Sequence, residues 1–344
     1  MSHILNTALR ATALAAMAMV SAAAFAAVDI DANIELDSKV LNQSRGASQS
    51  GRVELNGSKK MGSQYFIAGR ATYLAHPDGT AGTDDLWAQI GNDTADIKLG
   101  RFEAANLFQT PGDVLVDYAG FTPYQANVLR GRQGAYGNGN ASFRAAGTLL
   151  LGGGFSFELG AVSSKGSGAT GLRPVLSYAN GPLHLAGGIE AIQYSSVAGS
   201  AAGTTTTCGV TVGSACTTTV TSLATPATVG SRQTGFGLTG DYNFGGFTLT
   251  SNFASGKDIN GLKQSTFALM GAFGNLTVAS VFGKAAQATG DDMKVTTFWA
   301  AYAIPFFDVK GATITPAVMY SKGSGANSSA PKSSGGAVRV HYDF

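Results

Sequence analysis

Charge is scarce in this 344-residue chain: Asp, Glu, Lys and Arg make up 13% of it, where soluble domains usually carry about a quarter. The few charges nearly cancel, 23 basic against 21 acidic. No basic face is on offer, which excludes nucleic acid as a partner. Proline (9) and histidine (4) are thin as well. Of the histidines, only His76, His184 and His341 lie beyond the leader described below, and none sits beside a recognisable serine motif. The usual parts of a Ser/His hydrolase are therefore missing. Cysteine is limited to Cys208 and Cys216 in a Thr/Ser/Gly-rich stretch without His, Asp or Glu. No metal site is expected there and no cofactor is implied; in an exported chain the pair is a candidate local disulfide. Helical periodicity is absent from the mature chain, and so is any apolar run long enough to cross a bilayer as a helix.

What is present begins with a leader. Arg10 is the only charge in the first 28 residues, followed by an apolar run from Ala13 to Val20 and by Ala24-Phe25-Ala26. These are the three regions of a secretory signal peptide, 1–26, cleaved after Ala26.

From residue 27 to residue 344, apolar and polar residues alternate with period 2, the signature of strands with two unlike faces. Ile30, Ala32, Ile34 and Leu36 oppose Asp29, Asp31, Asn33 and Glu35; Phe236, Leu238, Tyr242 and Phe244 oppose Thr239, Asp241 and Asn243. About 16 such runs are legible, an even number, as single-chain bacterial barrels require. The run around Trp299 and Tyr302 can be faced either way. Tight Gly/Asn connections such as Gly91-Asn92-Asp93, Gly245-Gly246 and Gly274-Asn275 alternate with longer polar ones, the asymmetry of short turns at one membrane face and long loops at the other. The predicted fold is all-β: one transmembrane antiparallel β-barrel of about 16 strands. In hydrocarbon an open sheet edge is not tolerated, and about 16–18 strands enclose an aqueous channel.

The longest charged connection, Gly100 to Gly134, follows the fifth strand. It holds Arg101, Glu103, Asp113, Asp117, Arg130 and Arg132, with Phe102, Phe108, Tyr118, Phe121 and Tyr124 between them. Loops beyond about 12–15 residues are uncommon and usually functional, and this one is expected to fold into the lumen and set its width. Alternation turns Arg70, Lys98, Arg144 and Arg173 inward, along with Asp29, Asp31, Glu35, Glu158, Glu190 and Asp241. Each is read as a solvated lumen charge. Their balance predicts weak ion selectivity, with a slight anion bias if arginines sit at the narrowest point.

The last residues, Val338-Arg339-Val340-His341-Tyr342-Asp343-Phe344, resemble the terminal strand of Gram-negative outer-membrane proteins, in which a final Phe is read by the barrel-assembly machinery. With the long loop after the fifth strand, the chain resembles the trimeric 16-stranded porins. Leu99-Gly100-Arg101, Pro111-Gly112-Asp113 and Arg130-Gly131-Arg132 look like the entry, middle and exit of their inward third loop, and Gly51-Arg52-Val53 like a wall strand supplying an arginine. The usual Pro-Glu-Phe-Gly-Gly run of that loop is missing. The resemblance implies an outer-membrane homotrimer surrounded by lipid and lipopolysaccharide, passing small hydrophilic solutes. It also implies a constriction with Arg52, Arg101 and Arg132 on its basic side and Asp113, Asp117 and Glu103 on its acidic side. Strict alternation sets Arg101 with the lipid-facing Ile97 and Leu99, so it reaches the lumen only if the strand ends or bulges there. Chains with a Gly-Arg-Phe-Glu opening to this loop resemble carbohydrate porins, which makes Phe108, Tyr118, Phe121 and Tyr124 candidate stacking faces for sugars. The alternatives from other classes are a barrel-embedded enzyme and an adhesin acting through the Ser195–Ser231 loop. N-terminal sequencing of the exported protein is expected to begin at Ala27; another start would move the leader boundary.

Overall fold

The computed structural model describes residues 28–42, 46–130, 141–164, 169–194, 203–208, 216–222, 231–306, 308–325 and 332–344. The proposed leader and Arg132 lie outside them.

Among the described residues, the regular elements are all strands. Its first half supplies β1 (Asp29–Leu41), β2 (Gly46–Met61), β3 (Tyr65–Ala75), β4 (Ala81–Asn92), β5 (Ala95–Arg101), β6 (Ala141–Gly152), β7 (Phe155–Ser164), β8 (Thr170–Asn180) and β9 (Leu183–Gln193). A separate hairpin follows, β10 (Gly203–Cys208) and β11 (Cys216–Ser222). The second half adds β12 (Arg232–Asn243), β13 (Phe247–Lys257), β14 (Lys263–Phe273), β15 (Leu276–Ala285), β16 (Met293–Tyr302), β17 (Ile304–Pro305), β18 (Ala312–Ser324) and β19 (Lys332–Asp343). Each strand pairs antiparallel with its neighbours, β9 pairs directly with β12, and β1 lies between β2 and β19, so the sheet closes on itself. β17 continues β16 past Ala303, and both pair with β18. The 17-stranded sheet is therefore a transmembrane barrel of 16 staves. The expected runs coincide with these staves; the β10–β11 hairpin was not anticipated, and its register sets Cys208 opposite Cys216.

The outer surface is the apolar member of each alternation: Ile34, Leu36, Leu86, Ile97, Phe236, Phe267 and Val318 are all exposed. Sequence left the run around Trp299 open. Phe298 and Tyr302 face outward, whereas Trp299 is buried inside and donates from Nε1 to the Pro111 carbonyl at 3.2 Å.

That hydrogen bond shows what fills the barrel. A lumen of this width cannot be packed by wall side chains alone, and here residues 102–130 are laid against its inner surface. Leu107, Phe108, Val114, Leu115, Tyr124 and Ala126 form one buried cluster with Val175, Ala254, Ala268, Met270, Val281, Trp299 and Met319 of the wall. This stretch of wall is lined with small residues, and at several positions, Gly188, Gly235, Gly237, Gly256 and Gly283 among them, it has no side chain at all. A Cβ on Gly235 or Gly256 would run into the Tyr124 ring, so these glycines form the slot that holds it.

Polar wall residues fix the loop backbone, whose N–H and C=O groups would otherwise be buried unpaired. Glu158 accepts from Ala105 N–H at 2.9 Å; Asn252 both accepts from and donates to the Gln109 backbone, at 3.0 and 2.8 Å. Arg173 donates to the carbonyls of Ala105 and Ala126, and Glu190 accepts from the Tyr124 hydroxyl at 2.7 Å and from Leu129 N–H at 3.1 Å. Arg173 and Glu190 are almost wholly buried, 4.0 Å apart. Glu190→Ala strands a buried guanidinium and unpairs two loop donors, a loss of about 3–5 kcal/mol. Urea unfolding in detergent is expected to show it, with new protease cleavage within 102–130; an unchanged midpoint and an uncut loop would refute the seat.

Candidate functional site

With the loop packed toward β6–β18, the remaining inner surface belongs mainly to β19 and β1–β5, and this is where the charges gather. The register builds them into ladders. Across β19, β1 and β2, His341 pairs with Glu35 and Glu35 with Arg52; two residues along, Arg339 pairs with Asp37. Across β1, β2 and β3, Asn33 pairs with Glu54 and Glu54 with Thr72, while Asp31 pairs with Asn56 and Asn56 with Arg70. Inward positions on neighbouring strands are within side-chain reach, so an alternation of sign across the register makes a network.

The network is dense. Arg52 donates to Glu54 at 2.6 Å and comes within 3.9 Å of Asp85; Arg70 reaches Glu54 at 3.2 Å, Asp85 at 3.6 Å and the Asn56 side-chain oxygen at 2.7 Å. Arg339 holds Asp37 through two bonds of 2.7 Å and Glu35 at 3.3 Å. His341 lies 3.0 Å from Asp343 and 3.8 Å from Glu35. The carboxylates lie deeper than the guanidinium groups. The side chains of Glu54 and Asp85 are 6% and 3% exposed, against 28% for Arg52 and 33% for Arg70. The open wall thus presents guanidinium groups with carboxylates behind them, Arg339 in the bidentate geometry that suits a guanidinium. Trp87 extends the surface, with Lys98 4.6 Å and Arg70 5.7 Å from its ring.

The loop faces this wall with carboxylates. Asp113 is exposed, accepts from the Thr110 hydroxyl at 2.8 Å and lies within coulombic reach of Arg339. Asp117 is half-buried nearby on the loop. Burial pushes the Tyr118 phenol up to about 12, with the Asp113 charge adding to it, and Gln125 donates to its oxygen at 3.0 Å. It therefore stays neutral. Gly112, at the loop's turn, sits so close to β15 that a Cβ there would lie 2.8 Å from Thr277.

Several expectations change. Arg101 is not in the network. Gly100 takes φ of +109°, where a Cβ would collide with the Leu86 carbonyl, yet the register runs on unbroken: Arg101 stands opposite the outward Leu86, where strict alternation sets it, and donates to the backbone oxygen of Asp84 at 2.5 Å. Arg339 occupies the place expected of it. Glu103 pairs with Arg130 at 2.7 Å and clasps the two ends of the loop. Arg144 is no solvated lumen charge: it is buried, stacks over Phe102 and donates to the carbonyls of Leu129 and Arg130. Arg70 and Lys98 do face the lumen. The stacking reading of the aromatics is corrected outright: Phe108, Phe121 and Tyr124 are 1%, 6% and 5% exposed, because their faces are spent on the wall. Only Tyr118 keeps part of its surface. Glu54, Asp85, Asp37 and Arg339 were not singled out, although alternation within β1, β2, β4 and β19 carries the signal; what was missing was the closure that sets β19 beside β1. Among the described residues no cluster could hold a metal ion.

No family model matches the chain, and no curated relative does. Solved structures do. An OmpT of Vibrio cholerae lacking loop L8, an outer-membrane protein, superposes with a TM-score of 0.60 at 12% identity, over 92% of this chain and 99% of its own. The anion-selective porin of Comamonas acidovorans gives 0.60 at 15% identity, over 92% and 99%. The OmpF of Salmonella typhi, in complex with daunomycin, gives 0.57 at 11% identity, over 92% and 97%. The chain has the fold of the Gram-negative outer-membrane porins.

Proposed function

We propose that this protein is an outer-membrane diffusion channel for small hydrophilic solutes and ions, narrowed by its third loop. One observation carries the reading: the loop is sealed to the apolar half of the inner wall and holds Asp113 within coulombic reach of Arg339 on the arginine-faced half, with Asp117 four residues along the loop. Opposed charges in a water-filled gap between low-dielectric walls set up a transverse field that orders water and polar solutes. Because Arg52, Arg70 and Arg339 are each backed by carboxylates, the net field along the pore is small and selectivity weak. The export leader, the outer-membrane location and recognition of Phe344 by the assembly machinery belong to the same reading. So does a homotrimer, supported by the trimer form of the Vibrio cholerae OmpT.

Sugar specificity loses its support once the loop aromatics are buried. A hydrolase finds none in the histidines either: His184 and His341 each lie against a carboxylate, Asp241 and Asp343, but neither has a serine hydroxyl within hydrogen-bond reach among the described residues.

Reconstituted in planar bilayers, the protein is expected to conduct in large steps with a reversal potential near zero in a salt gradient; a tight bilayer would overturn the channel. Asp113→Asn with Asp117→Asn is expected to move that potential toward anions, and Arg52→Gln with Arg70→Gln toward cations. Shifts of the same sign, or none, would remove these residues from the constriction. Liposome swelling rates for glucose, sucrose and amino acids are expected to follow size alone; sugars running ahead of size-matched amino acids would restore a sugar-selective pore.

A further inference from the structure

Most cations of the open wall are matched by carboxylates: Arg52, Arg70 and Arg339 are each paired. Lys98 is not. Its ammonium stands 4.6 Å from the Trp87 ring and 5.6 Å from the Phe102 ring, and no described carboxylate lies in ion-pair reach. Cation–π attraction places that charge without compensating it. Beside Lys98 in the register is Gln89; one rung nearer the loop, Trp87 stands between Arg70 and Gly100. Trp87 and Gln89 alternate with the exposed Leu86, Ala88 and Ile90, and so face the lumen. Among the described residues, neither the Gln89 amide nor the Trp87 indole N–H has a hydrogen-bond partner.

Three donors thus share one half-buried patch of wall without an acceptor. Its shape suits a flat solute. Trp87 packs against Phe102, Ala104 and Ala146, which fixes the indole, yet part of its surface stays open to the lumen. The inward positions beside it are small, Gly100 next to Trp87 and Ala68 next to Gln89, which leaves room against the ring. Lys39 provides the comparison. It is also inward and without a described carboxylate partner, but its register neighbours are Ser48 and Ala337, neither of them aromatic. Asp96 is the next inward residue of β5 and does not pair with Lys98. Its charge opposes a second anionic group on a solute but leaves the first to the ammonium.

We propose that Trp87, Gln89 and Lys98 form a lumenal subsite for aromatic monocarboxylates, on the short-turn side of Arg52. The carboxylate takes a charge-assisted bond from the Lys98 ammonium and a second from the Gln89 amide or the indole N–H. The ring lies offset on the open part of the indole. A few placed polar groups beside an apolar face are the usual make-up of a small-molecule site. Because Arg70 is engaged by Glu54 and Asp85, the Lys98 ammonium is the charge left to recognise the solute. The proposal rests on the channel reading above and deepens it, naming a solute class that dwells in the lumen.

Titration calorimetry of the detergent-refolded protein tests it with benzoate, cyclohexanecarboxylate, benzamide and phthalate as probes. Benzoate is expected to bind about two- to tenfold more tightly than cyclohexanecarboxylate, the worth of an aromatic pair. Benzamide, which has the ring without the charge, is expected to show no binding, and phthalate to bind more weakly than benzoate. K98Q is expected to abolish benzoate binding and K98R to keep it. W87L is expected to bring benzoate down to the level of cyclohexanecarboxylate, which keeps the test open if K98Q refolds poorly. K39Q, which removes an inward lysine elsewhere, is expected to leave binding unchanged. Equal affinity for benzoate and cyclohexanecarboxylate, an unaffected K98Q, or an equal loss in K39Q would overturn the proposal, as would benzamide or phthalate matching benzoate. Single-channel recording separates the subsite from the channel. Benzoate is expected to interrupt the current of wild type and not that of K98Q. Binding without conduction would sink the channel and leave the subsite standing; large conductance steps without binding would do the reverse.

Discussion

A sheet immersed in hydrocarbon cannot leave an edge unpaired, and the architecture of this protein follows from that constraint. Closure of β1 between β2 and β19 satisfies the last row of backbone groups. It also fixes which inward residues become neighbours. Glu35 and Asp37 at the start of the chain acquire Arg339 and His341 from its end only because the ring is shut. Sixteen staves in turn enclose more space than their side chains can fill, and the third loop occupies part of it.

The loop divides the interior into two chemistries. Toward β6–β18 it is a packing problem, solved by small residues, a glycine slot for Tyr124 and polar side chains that pair its backbone. Toward β1–β5 it is an electrostatic surface in water. Arg173 and Glu190 belong to the first, Arg52 and Glu54 to the second. The same residue types stand in unlike surroundings: buried, they cost desolvation that is recovered only through full pairing; on the open wall, the guanidinium groups stay partly exposed.

Much of this was legible in the sequence. Period-2 alternation placed the 16 staves because one face of each meets lipid and the other water, so pattern and burial coincide. The inward loop was legible from its length and position. What alternation cannot say is what covers an inward residue. Arg144, Arg173 and Glu190 point inward as expected, yet they lie beneath the loop. Phe108, Phe121 and Tyr124 were available for stacking only until the wall claimed them. Arg101 was assigned to the constriction by resemblance, whereas alternation had set it with Ile97 and Leu99, and it stays on that side opposite Leu86; Trp299 stayed ambiguous because an inward tryptophan makes sense only with the Pro111 carbonyl beside it.

The glycine slot and the indole bond also bear on how the molecule is put together. The loop leaves the wall after β5, but the partners that hold it come much later in the chain: Asn252 is 143 residues from Gln109, and Trp299 is 188 from Pro111. Side chains of β6–β9 hold its two ends nearer in sequence, so its seat is assembled from both halves of the chain. The bonds to Asn252 and Trp299 exist only once β13 and β16 are in place, and the loop is fully held only in the closed ring.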